Sequence, residues 1–76
     1  MGGEKVFKYP VIIEKANNNY SAYSPDLPGC IATGSTVKET LLQMRTAIKF
    51  HIKGLEKEGI SIPEPSAKIK YVEISV

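Results

Sequence analysis

One stretch of helical periodicity limits what this chain can become. "TVKE", Thr36 to Glu39, has the form of a capping box. The Thr36 hydroxyl can satisfy the Glu39 amide while the Glu39 carboxylate reaches back over the helix start. Val37, Leu41, Met44, Ile48, Ile52 and Leu55 then recur at steps of four and three, which is one apolar stripe along a helix. Gly59 follows Lys57 and Glu58 and is placed to stop that helix. Gly54 lies inside it, at a cost of about 1 kcal/mol against alanine, and would permit close packing. No other segment of the 76 residues shows this period. One such helix can cover only one face of a sheet.

Residues 6–16, "VFKYPVIIEKA", read as the first strand. Phe7, Tyr9, Val11 and Ile13 share one parity; Val6, Pro10 and Ile12 share the other. Apolar groups on both faces suggest a central strand. Pro10 cannot donate to a ladder, which places it near the strand start or at a bulge. "NNN", 17–19, is a turn, because asparagine tolerates positive φ and bonds its own backbone. A second strand covers Tyr20 to Ser24. "PDLPG", 25–29, breaks regularity, and "CIAT", Cys30 to Thr33, is a short third strand ended by Gly34. "SIPEPS", 61–66, is a stiff extended connector. "IKYVEISV", 69–76, alternates Val72, Ile74 and Val76 against Tyr71, Glu73 and Ser75, and reads as a last strand.

The predicted fold is thus α+β, in the order β-β-β-α-β: a four-stranded mixed sheet with one long helix on one face. A right-handed crossover would return the last strand parallel to the first. One domain spans residues 1–76, with 1–5 a frayed end. A core this small is marginal. One cysteine allows no internal disulfide, and no Cys/His spacing suggests zinc. Association with another chain is the remaining stabiliser, and the helix-free face, with its leftover apolar groups, is where it would occur.

Charge narrows the function classes. Ten basic and eight acidic side chains give +2, with scattered lysines and the single arginine Arg45. A nucleic-acid footprint is denser. No apolar run approaches the ~20 residues of a membrane span, and "MGGEKVF" lacks the apolar segment of a signal peptide. A lone thiol without a leader points to a reducing cytoplasm.

Chemistry finds little support. Glu14, Glu39 and Glu73 are the acids that a two-metal nuclease could draw on, but such sites need several carboxylates converging on ions about 3.5–4 Å apart. Glu39 is already accounted for as a cap. Cys30 and His51 are the available nucleophile and base; a buried cysteine and a half-exposed histidine explain them better. No P-loop or GxGxxG occurs. No catalytic, metal or cofactor residue is assigned. Tyr20 and Tyr23 fall on opposite parities, so one is a core tyrosine and the other a surface group suited to an interface. In "YSAYSPDLPGC", Pro25, Pro28 and Gly29 shape a rigid turn and Asp26 bonds its own backbone there. Leu27 is an aliphatic group held on a stiffened loop, so that docking with it costs little entropy. Tyr20, Tyr23, Asp26, Leu27 and Pro28 are the candidate partner contacts.

The pattern "KYPVIIEK…YSAYSPDLPGC", "ATG" and "T", then a helix, "IPEPS" and "YVEI", resembles the HicB antitoxin family over about residues 8–74. The resemblance implies a partial ribonuclease-H-like β-β-β-α-β fold. It also implies a non-catalytic role: binding and occluding a HicA-type toxin, a small mRNA-cleaving protein, with assembly into dimers or tetramers. Many such antitoxins add a C-terminal DNA-binding domain. This sequence runs out at Val76, so no direct DNA binding is expected. The alternatives from other classes are a stand-alone homo-oligomeric protein that binds RNA or a small ligand, and a degenerate nuclease.

Overall fold

The computed structural model describes residues 6–76; the expected frayed end at 1–5 lies outside them. Three short strands, β1 (Ile12–Lys15), β2 (Tyr20–Tyr23) and β3 (Ile31–Gly34), precede one helix, α1 (Val37–Lys57). The strands form an antiparallel sheet in the order β1-β2-β3. The sheet is therefore not mixed and, among the described residues, has three strands. Residues 60–76 contain no strand. The alternation of 69–76 is present, but a strand exists only when a neighbour takes its hydrogen bonds, and this segment has none among the described residues. The edge position of β1 follows: its expected central place required that fourth strand.

β1 begins two residues after Pro10 and not at residue 6, as the missing proline donor dictates. The Asn17–Asn19 turn is closed by the Ala16 N–H donating to the Asn19 carbonyl at 2.8 Å. No non-glycine residue has positive φ among the described residues, so the asparagines do not use the left-handed conformation expected of them. A longer hairpin loop can turn without it.

The start of α1 follows the capping box with one difference. The Glu39 N–H donates to Thr36 Oγ1 at 3.0 Å. The Glu39 carboxylate accepts from the N–H and hydroxyl of Ser35, at 2.8 and 2.6 Å, one residue before the cap. Its far end is a Schellman turn: Ile60 N–H to Leu55 C=O at 2.9 Å and Gly59 N–H to Glu56 C=O at 3.1 Å. Gly59 sits at φ 69°, the left-handed region that a side chain would strain.

The helix covers one face of the sheet. Ile13, Ala22 and Ala32 form a cross-strand row beneath it, and Ala22, Leu27, Cys30 and Met44 are the buried apolar core. Its inward face differs from the expected stripe. Thr40 and Met44 are fully buried, Ala47 and Ile48 pack against the apolar cluster that includes Met44, and Val37 and Leu41 remain exposed. The reason is Gly34. A Cβ there would lie 2.7 Å from Thr40 Oγ1 and 2.8 Å from Thr40 N. Glycine lets the first helical turn rest directly on β3. Thr40 fills that contact and satisfies its hydroxyl on the Thr36 carbonyl at 2.6 Å. Gly54, by contrast, has open space beside it, so close packing within the chain does not explain it.

Candidate interaction surface

The loop from Ser24 to Cys30 folds as two successive turns, Leu27 N–H to Ser24 C=O at 3.2 Å and Cys30 N–H to Leu27 C=O at 3.1 Å. This places the Leu27 side chain inward. Leu27 is 1% exposed and belongs to the core. The expectation of an aliphatic group presented on the loop is thereby corrected: the turns point it at Met44's side of the sheet, where burial is favourable. Asp26 is also differently engaged. Its carboxylate accepts from the Ser66 N–H at 3.1 Å, the Ser66 hydroxyl at 2.9 Å and the Ala67 N–H at 3.3 Å. Asp26 is thus a latch for the connector, not merely a turn residue. A second tie holds the same connector, with the Tyr9 hydroxyl donating to the Pro63 carbonyl at 2.6 Å. Pro28 remains exposed on the loop.

The two tyrosines separate as their parity requires. Tyr20 stands opposite Lys15 and Gly34, on the side of the Ile13–Ala22–Ala32 row, and is half-buried. Tyr23 stands opposite Ile12 and Ile31 on the face that the helix does not cover. The rung Ile12–Tyr23–Ile31 is therefore an apolar strip across the uncovered sheet, and Ile31 is 68% exposed. Sequence reading picked Tyr23 but missed Ile31, since "CIAT" gives no sign of which alternate residue the helix covers.

Ile31 also opens onto a groove of about 430 Å³ between the start of β3 and the second half of α1, with Phe50, His51, Gly54 and Leu55 on its helical wall. Phe50 is 80% exposed. Gly54, lacking a side chain, leaves this wall low. Cys30 lies at its base, and burial pushes the thiol up from its ordinary value. That direction is opposite to the one that makes a nucleophilic thiolate.

The carboxylates are dispersed. Glu39 is occupied at the helix start, where the hydrogen bonds from the Ser35 hydroxyl and N–H hold it below the usual carboxylate range. Among the described residues no three of His, Cys, Asp and Glu gather to hold a metal ion, and no described helix is long and apolar enough to cross a membrane. What the surface offers is apolar area beside hydrogen-bonded scaffolding, which suits docking more than chemistry.

Residues 9–74 match the family model described as HicB-like antitoxin of bacterial toxin–antitoxin system. An uncharacterized 14.9 kDa protein from the rep-hol intergenic region of Haemophilus phage HP1 is 38% identical over 64 residues, 84% of this chain and 48% of its own length. The chain thus spans about half of that relative. A UPF0150 protein of Thermoplasma acidophilum is 40% identical over 62 residues, 80% of this chain and 90% of its own. Among solved structures, a chain of a "HicA3 and HicB3 toxin-antitoxin complex" superposes with a TM-score of 0.67 at 32% identity, covering 79% of this chain and 70% of that one.

Proposed function

Because the chain belongs to the HicB-like antitoxins of bacterial toxin–antitoxin systems, we propose that it acts in the cytoplasm by binding a HicA-type toxin and covering the surface with which that toxin meets mRNA. The observation that carries this reading is the 32%-identical structural match to a chain of a solved toxin–antitoxin complex. The uncovered rung of Ile12, Tyr23 and Ile31 supports it, since a surface that exposes this much contiguous apolar side chain is suited to a macromolecular partner. Tyr23 is the anchor, with Pro28 at the margin of the contact. Leu27 and Asp26 serve it from below, by holding the loop and connector in place.

The mechanism is steric. The chain makes and breaks no bond, and inhibition follows from occupancy, so it scales with complex formed. Co-expression with the basic protein of ~60–80 residues expected from a neighbouring reading frame, followed by copurification, tests it. A stable complex whose toxin no longer cuts RNA is the expected result. The protein also self-associates in this reading, as dimer or tetramer, and a ribonuclease-H-like four-stranded sheet belongs to that assembled state.

A further inference from the structure

The last nine residues, 68–76, are all exposed. The connector is tied down as far as Ala67 by Tyr9 and Asp26, and two prolines stiffen it. Beyond that point every residue is exposed: Tyr71 at 91%, Val72 at 80% and Ile74 at 74%. Val72, Ile74 and Val76 alternate with Tyr71, Glu73 and Ser75 and stand exposed, the kind of arm that pairs with an open edge.

The same chain carries an edge that fits. Among the described residues β1 has no strand on its outer side. Above it α1 leaves Leu41 exposed, bordering a crevice with Phe7, Tyr9 and Val11. The helix rests mainly on β3 and β2 and leaves this apolar crevice open on the β1 side. A fourth strand placed there with Val72, Ile74 and Val76 turned toward the helix would continue the Ile13–Ala22–Ala32 row and seat them beneath Leu41. Ile69 and Tyr71 already border Val11, Ile12 and Ile13 in one crevice, but residues 68–76 form no strand with their own β1.

We propose that the arm of one copy is the fourth strand of a second copy, exchanged reciprocally across a two-fold axis. Donor and acceptor reside on one chain, so a two-fold pair uses both arms and both β1 edges and leaves neither free to propagate. A different partner could fill only one of the two. This deepens the self-association named above and rests on it, but not on toxin binding.

Sedimentation of the full chain, with no toxin present, tests it. The unaltered protein should run at two times 8.3 kDa, and Val72→Lys with Ile74→Lys should run as a monomer with unchanged far-ultraviolet dichroism. In a mixture of isotope-labelled and unlabelled copies, methyl contacts from Val72 and Ile74 to Val11 and Ile13 should appear between copies. A monomeric unaltered chain, a dimer that survives both lysines, or contacts found only within one copy would each overturn the exchange. Should the lysine variant lose its fold, the mixed-label measurement on the unaltered chain decides alone. Toxin binding assayed separately then stands or falls by itself.

Discussion

The carboxylate of Asp26 holds the hydroxyl of Ser66 at 2.9 Å across 40 residues of sequence. This contact, with two backbone N–H groups on the same carboxylate, fixes where the connector ends and the free arm begins. Replacing it by Asp26→Ala should leave the core intact and release the connector. Amide exchange at Ser66 and Ala67 should accelerate by about an order of magnitude, as for loss of a charge-assisted hydrogen bond, while exchange within α1 stays unchanged.

The same latch is pH-dependent. Desolvation raises the Asp26 pKa, but the hydrogen bonds from Ser66 and Ala67 together outweigh it and leave it below the ordinary 3.8. A depressed folded-state pKa contributes stability that is present above 3.8 and lost as pH falls through the folded value. Between neutral pH and about 5 the Ser66 amide shift should therefore stay constant. It should move only in stronger acid, and the Asp26→Asn variant should show no such titration.

Leu27→Ala removes a side chain that is 1% exposed. A buried leucine truncation costs about 2–5 kcal/mol, which in a domain of this size lowers the melting midpoint by roughly 10 °C or more. The exposed Pro28→Ala should change it by only about 2–4 °C. Thermal melts followed by circular dichroism compare the two. Equal and small shifts would return Leu27 to the surface.

Gly34→Ala should destabilise by about 1–3 kcal/mol, the usual penalty for overpacking. Adding Thr40→Ala should not rescue it, because the new Cβ would still lie 2.8 Å from Thr40 N and 3.0 Å from Thr40 Cα. Denaturant titration of the single and double variants measures this; full rescue would place the clash on the hydroxyl alone.

These residues also show which parts of the molecule a sequence reveals. The cap at Thr36, the stop at Gly59 and the hairpin at 17–19 are local: each partner lies within a few residues, and the pattern states the contact. The inward turn of Thr40 is not local, since it depends on Gly34 leaving room that no hydrophobic stripe records. Leu27 looks like a loop residue because its turns, and not its neighbours, aim it inward. Asp26 looks like a turn residue because its partners are 40 positions away. The alternation of 69–76 is legible in the sequence, but a strand also needs a neighbour to take its hydrogen bonds, and none forms there among the described residues. On the candidate surface Tyr23 could be read from its parity, whereas Ile31 required the β2–β3 register.

The central claim is that the uncovered face blocks a toxin without chemistry. RNA cleavage by a HicA-type toxin, titrated with this protein, tests it most directly. Cleavage should cease near one chain per toxin, and Ile31→Asp, at a residue already 68% exposed, should weaken inhibition at least about tenfold while leaving the melting midpoint nearly unchanged. Cleavage that continues undiminished under a saturating excess of the protein, or RNA cut by the protein on its own, would contradict it.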